Sequence, residues 1–142
     1  MADKRYFILV GDMDAWNISL QINTWGFSER SRGNWNTLEE GDYVAFYVTA
    51  PLKKIIGFGI ITRKFINDAL LWSDEKLFDR SIWKYRIQFR KLFLVNSMQE
   101  GVPVPHQIML NTGRKVIDRR TFLSLIKQFR IDMDSIHSIR RK

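Results

Sequence analysis

The chain has 142 residues, of which 45% are apolar and 27% charged, as expected of one soluble globular domain with its own core. It has no cysteine, which excludes disulfides, thiol catalysis and cysteine-based zinc sites. With only two histidines, His106 and His137, a histidine-built metal site or a serine–histidine hydrolase is also disfavoured, and we expect no cofactor.

The net charge of +8 is concentrated in two segments. Residues 80–91 contain five basic residues and no acid, and residues 114–142 contain nine basic residues against three acids. Such an excess can serve solubility alone, but two local clusters favour an anionic partner. No segment has the ~18 apolar residues that cross a bilayer, and the N-terminus lacks an apolar signal core. We therefore expect a cytoplasmic protein that binds nucleic acid and no membrane.

The first third of the chain predicts a strand, a helix and a loop. Tyr6–Val10 is a continuous run of β-forming residues and predicts a buried strand. Asp12 or Asp14 can cap the helix that follows. Apolar positions recur there at spacings of three and four: Ala15, Trp16, Ile18, Leu20 and Ile22. Residues 28–37 are polar and predict a loop.

The rest of the chain predicts a meander of strands closed by a helix. The predicted strands are Tyr43–Thr49, Ile55–Phe65, Trp83–Val95 and a short Gln107–Leu110. Residues 67–81 read as an insertion with a helical turn, and residues 112–115 as a turn. Asp118 caps the closing helix. This order predicts an α+β fold whose antiparallel sheet curls into a barrel or half-barrel.

Trp25 stands out among the five tryptophans. It follows the first helix, directly precedes Gly26 and falls outside any core periodicity, which predicts an exposed ring beside accessible backbone. In a basic protein such a ring is a candidate surface on which a nucleobase can stack. Trp35 lies in the polar loop, where it either lines the edge of the same base-binding site or holds the loop in place by packing. Trp16 and Trp83 are predicted to pack in the core.

Several short motifs, in this order and spacing, resemble the EVE domain, a member of the PUA-like superfamily related to YTH domains. They are Tyr6–Val10, Asp14–Trp16, Thr24–Gly26, Gly41–Asp42, Phe46–Val48, Ile56–Gly57 and Lys84–Ile87. The resemblance covers most of the chain and implies a PUA-like twisted β-barrel flanked by helices, as one domain over residues 1–142. It also implies binding of DNA or RNA that carries a chemically modified base.

The resemblance to YTH domains implies the location of the site. A flipped base would lie between Trp25, next to Gly26, and Trp72. The end of the first strand would contact the base edge through Val10, Gly11 and Asp12. YTH domains often have Lys-Ser where this chain has Gly11-Asp12, so the resemblance does not imply a preference for N6-methyladenine. The predicted phosphate-binding residues are Gly113, Arg114, Lys115 and Arg86.

Two other functions stay open at this stage. One is a small nucleotide-acting enzyme of the PUA-like group, for which Asp12 is the obvious base. The other is a specificity or interaction subunit of a restriction or RNA-modification system. Adjacent acids such as Asp74-Glu75 point in diverging directions and are poor catalytic dyads, and no phosphate-binding loop or nucleophile motif occurs. We therefore favour a non-catalytic binding module.

Overall fold

The computed structural model describes residues 4–105 and 114–129. In the described part of the chain the strands are β1 (Tyr6–Gly11), β2 (Thr24–Phe27), β3 (Tyr43–Val48), β4 (Lys54–Ile66), β5 (Tyr85–Leu94) and β6 (Arg114–Ile117). The helices are α1 (Met13–Ile22), α2 (Arg32–Thr37), α3 (Ser73–Phe78) and α4 (Arg119–Lys127), with 3₁₀ turns at Glu29–Ser31 and Met98–Glu100.

Across the described residues, six strands form one sheet in the order β2-β5-β4-β3-β1-β6. Strands β1 and β3 are parallel, with Ile8 beside Ala45, and the other neighbours are antiparallel. Strand β1 lies between β3 and β6, and α1 begins directly after its C-terminal end. The predicted α+β fold with a curled, half-barrel sheet flanked by helices is confirmed.

Alternate residues of the central strands pack into two separate cores. On one face Phe7 and Leu9 of β1 join Trp16 and Leu20 of α1. On the other face Tyr6 and Ile8 join the apolar stripe of α4, which comprises Phe122, Leu125 and Ile126. The period-two alternation of β1 thus divides its side chains between two helices. Because α1 is fixed on the first face, its N-terminus stays beside the end of β1.

The structure bears out most predicted elements and corrects three. Asp12 and Asp118 are the N-caps of α1 and α4, and each accepts from a backbone N–H three residues on. The loop predicted over 28–37 contains α2, and Trp25 lies in β2, which the sequence did not indicate. Arg114 and Lys115 belong to β6 and not to a turn, because they pair with Leu9 and Ile8 of β1. The predicted strand Gln107–Leu110 and Gly113 lie outside the described residues.

The helices of the described segments are all too short or too polar to span a bilayer. The same segments hold no group of three or more His, Cys, Asp or Glu side chains placed to bind a metal ion.

Candidate nucleic-acid interface

A cavity of about 410 Å³ opens where β1 ends and α1 begins. Its size falls in the range of pockets that enclose a small ligand. The residues that line it come from β1, α1 and its N-cap, β2, the 3₁₀ turn after β2 and the segment before β5: Val10, Gly11, Asp12, Asp14, Ala15, Trp25, Gly26, Phe27, Ser31, Trp72, Asp74 and Trp83. The cavity thus brings together six of the seven residues predicted for the base pocket, including both predicted tryptophan walls.

Gly11 makes room for the first wall. A Cβ on Gly11 would lie 2.1 Å from Cη2 and 2.6 Å from Cζ2 of Trp25, so only glycine lets this ring cross the end of β1. Behind it, Trp25 stacks on Trp16 with ring centroids 4.0 Å apart and planes at 19°. The indole Nε1 of Trp16 donates to the carbonyl of Tyr47 at 2.8 Å. The wall is therefore a two-ring stack that is anchored to the sheet.

Gly26 makes room for the other two rings. A Cβ there would lie 2.6 Å from Cβ of Trp83 and 3.0 Å from Cη2 of Trp72. Trp72 donates through Nε1 to Oγ of Ser19 in α1 at 2.9 Å. Trp83 donates through Nε1 to both carboxylate oxygens of Asp74, at 3.0 and 2.8 Å. Each ring is therefore held in one orientation by a hydrogen bond of its own.

The buried carboxylate of Glu75 fixes the backbone of both Trp72 and Trp83. Its Oε1 accepts from the N–H groups of Leu71 and Trp72 at 2.9 and 3.3 Å. Its Oε2 accepts from those of Ile82 and Trp83 at 2.9 and 3.0 Å. Burial alone would raise the pKa of Glu75, but these four donors stabilise the charged form and leave its pKa below the ordinary 4.5.

Arg86 is structural and not available to phosphate, so this prediction is wrong. The residue is fully buried, and its guanidinium donates to the carbonyl of Trp83 and the amide oxygen of Asn67, both at 2.9 Å. It also lies 3.4 Å from the Glu75 carboxylate. Alternation along β5 puts Arg86 on the solvent face together with Gln88 and Arg90, but the 67–83 segment covers this face at Arg86. The positive charge therefore balances Glu75 beneath the cavity.

Three further predictions about tryptophans need correction. Trp25 is 6% exposed and belongs to a core cluster, so the prediction of an exposed ring is wrong, although the ring does line the cavity. Trp35 packs outside the cavity, where its Nε1 donates to the carbonyl of Arg86 at 2.9 Å. Trp83, predicted to be a core residue, is a cavity wall. The signal that could have identified Trp83 is its position just before β5, the strand that pairs with β2.

A second groove, of about 690 Å³, lies toward the start of β1. The charged residues of its lining are mainly basic: Lys4, Arg5, Arg114 and Arg119, with Asp118 as the acid among the described residues. Arg5 and Arg114 both lie over the ring of Phe7, at 5.4 and 5.3 Å from its centroid. Burial and then repulsion from Arg5 lower the pKa of Arg114. Lys115, also predicted to bind phosphate, is on β6 but does not line this groove.

Solved structures of low sequence identity share this fold. The YTH domain of Pho92, solved in complex with m6A, matches with a TM-score of 0.60 and 14% identity over 92% of this chain and 86% of its own. A mutant of ZmASCH from Zymomonas mobilis matches with a TM-score of 0.59 and 13% identity over 90% and 99%. Rpa0253 from Rhodopseudomonas palustris matches with a TM-score of 0.59 and 11% identity over 87% and 91%. No protein-family model and no curated protein sequence matches the chain.

These similarities define the fold class. The chain has the PUA-like fold that YTH and ASCH proteins share, which confirms the fold that the sequence motifs implied.

Proposed function

We propose that this protein is a non-catalytic module of the EVE type that binds nucleic acid and holds one methylated base, turned out of its stack, in the tryptophan cavity. The observation that carries the proposal is the set of three indole rings, Trp25, Trp72 and Trp83, around one cavity of ligand size. The YTH domain of Pho92, which has the same fold, was solved with m6A, and this supports a base as the ligand.

Stacking supplies the affinity in this proposal. A base on an aromatic face gains about 1–3 kcal/mol, and burial of a methyl group adds ~0.8 kcal/mol. The protein itself holds the rings in place, since Trp72 and Trp83 are both hydrogen-bonded through Nε1. Little side-chain entropy is therefore lost when a base enters, and most of the stacking energy contributes to binding.

The basic groove is the proposed path of the phosphates. Arg114 lies next to Arg5, which is already paired with Asp42 at 2.8 Å, so in this proposal a phosphate contacts Arg114 together with Lys4 and Arg119 of the same groove. The groove and the cavity adjoin opposite ends of β1, roughly 10 Å apart from Phe7 to Val10 at ~3.3 Å per residue. One short strand of nucleic acid can therefore reach both.

The non-catalytic role rests on how the cavity uses its polar groups. The carboxylate of Asp74 is engaged by the indole of Trp83 and by the N–H of Glu75. Asp12, the residue best placed to act as a base, caps α1. The lining contains no lysine, histidine or cysteine within the described segments, and this favours holding a base over reacting with it.

The experiment compares Trp83→Ala with Trp35→Ala in binding to a short single-stranded oligonucleotide, with and without one methylated base. Both tryptophans are half-buried and both donate through Nε1, but only Trp83 lines the cavity. We expect Trp83→Ala to lose about 1–3 kcal/mol of binding to the methylated strand. Trp35→Ala should bind like the parent protein.

Thermal melting of both variants shows whether each has folded. If the parent protein binds neither DNA nor RNA oligonucleotides, the proposed function is wrong. If the two variants lose equal affinity at equal stability, the cavity is not the binding site.

A further inference from the structure

The cavity differs in charge from the rest of the protein. Its lining contains the carboxylates of Asp12, Asp14 and Asp74 and, among the described residues, no Lys, Arg or His. The chain as a whole carries a net charge of +8. Arg86 lies outside this lining, 5.1 Å from the centroid of the Trp72 ring, and its charge is paired with Glu75. Aromatic walls and carboxylates in a lining without a basic side chain are the chemistry that binds an organic cation.

The carboxylates keep most of their charge available to a ligand. Asp12 uses Oδ1 to accept from the N–H of Ala15, at 2.7 Å. Asp14 makes no hydrogen bond or ion pair with the described residues. Asp74 is the one that is fully engaged, by the indole of Trp83 and the N–H of Glu75. The N-terminus of α1 offsets only about half a charge. A negative potential therefore remains over the mouth of the cavity, beside Asp12 and Asp14.

We infer that the cavity selects a methylated base that carries a positive charge, such as N1-methyladenine, N3-methylcytosine or N7-methylguanine, over a neutral methylated base. This inference rests on the proposed function and specifies its ligand class. A neutral base gains stacking and methyl burial. A cationic base gains both of these, the attraction of its charge to the faces of Trp25, Trp72 and Trp83, and the attraction to the two aspartates.

The volume of the cavity favours a whole base over a smaller cation. About 410 Å³ is room for a flat heterocycle between rings, whereas a trimethylammonium group would leave much of the cavity unfilled. The basic groove around Arg5 and Arg114 also favours a polyanionic carrier for the cation. A nucleic acid with a cationic base satisfies both surfaces of the protein at once.

The test uses two isomers, N1-methyladenosine and N6-methyladenosine, each placed at the same position of one single-stranded RNA. Their neutral forms are isomers, but N1-methyladenosine takes up a proton and is cationic at neutral pH, whereas N6-methyladenosine is neutral. We expect the N1-methyl strand to bind about tenfold more tightly. In Asp14→Asn the preference should fall several-fold, while affinity for the N6-methyl strand stays the same. Glu40→Gln, an exposed acid that does not line the cavity, is the matched control and should retain the preference.

Equal or tighter binding of the N6-methyl strand would overturn the inference and leave the proposed function standing. A tenfold preference that survives the double variant Asp12→Asn/Asp14→Asn would overturn it as well, because its physical cause would then be wrong. Failure to bind either strand would overturn the proposed function itself. Binding of a trimethyl-lysine peptide in place of both strands would also overturn it, and would assign the cavity to a protein ligand. The same comparison can be made with a smaller base, using N3-methylcytidine as the cationic and 5-methylcytidine as the neutral nucleoside.

Discussion

Glu75→Gln is the sharpest test of how the cavity is built. The side chain is fully buried, and its two oxygens accept four backbone N–H groups, two of which belong to Trp72 and Trp83. Glutamine has nearly the same shape, but its NH₂ group must point at one pair of donors. Two buried N–H groups then lack an acceptor, and Arg86 loses its counter-charge.

The expected cost follows from these contacts. Each buried donor left without a partner costs about 1–3 kcal/mol, and breaking a buried ion pair by removing one partner costs about 3–5 kcal/mol. These contributions overlap, so we expect a loss of about 3–5 kcal/mol in the free energy of unfolding. For a chain of this size that lowers the melting temperature by roughly 10–20 °C.

The same residue gives the stability a defined dependence on pH. The pKa of Glu75 is lowered on folding from its ordinary value of 4.5. The stabilisation is therefore fully present above pH 4.5 and is lost as the pH falls through the lower pKa of the folded state. Glutamine does not titrate, so Glu75→Gln should lose less stability than the parent protein in that acidic range.

Urea denaturation of the parent protein, Glu75→Gln and the exposed control Glu40→Gln, at neutral and acidic pH, measures both effects. A loss below about 1 kcal/mol for Glu75→Gln would refute the role assigned to this carboxylate, as would an unchanged dependence on acid. Base binding should fall with stability, because the two walls are fixed through Glu75.

Three further substitutions test separate parts of the proposal. Gly11→Ala should displace the ring of Trp25, because its Cη2 would lie 2.1 Å from the new Cβ. We expect a loss of about 1–3 kcal/mol in stability and a shift in tryptophan fluorescence, and an unchanged spectrum would contradict the close packing. Arg114→Ala should weaken binding to methylated and unmethylated strands alike, and should reduce the slope of log affinity against log salt by about 0.7 on single strands. A loss of affinity confined to the methylated strand would place Arg114 in the base site. Arg86→Gln should lower the melting temperature without changing that slope, and a changed slope would restore Arg86 as a phosphate contact.

Local sequence patterns predicted the elements that have strong periodicity or a clear cap. The alternation and apolar runs of β1, β3, β4 and β5 identified four strands, and Asp12 and Asp118 marked two helix starts. Strand β2 was missed because four residues are too few for a period to show. Strand β6 was missed for the same reason, and its pairing with β1 is set by tertiary structure.

The site was predicted in part, and the errors at Arg86 and Trp83 both come from the pattern of β5. Trp25, Trp72 and the end of β1 were placed by resemblance to YTH domains, and the cavity brings them together. Trp83 was misassigned because the predicted strand began there, whereas β5 begins at Tyr85. Arg86 was misassigned because strand alternation assumes that one face of β5 meets solvent. The 67–83 segment covers that face only at Arg86, whereas Gln88 and Arg90 stay exposed, and the local pattern of β5 does not indicate a cover supplied by another part of the chain. The phosphate contacts and the cytoplasmic location stay predictions.

The indole hydrogen bonds also have a kinetic consequence. Trp16, Trp72 and Trp83 each donate Nε1 to a fixed acceptor, so ring rotation needs a broken hydrogen bond. A base then meets a slot of constant width, and entry requires no opening step by the protein. The rate of association should be limited by how often a base flips out of its strand. The lifetime of the complex should be set by the stacking energy that the base loses when it leaves the cavity. Differences in affinity between modified bases should therefore appear mainly as differences in dwell time.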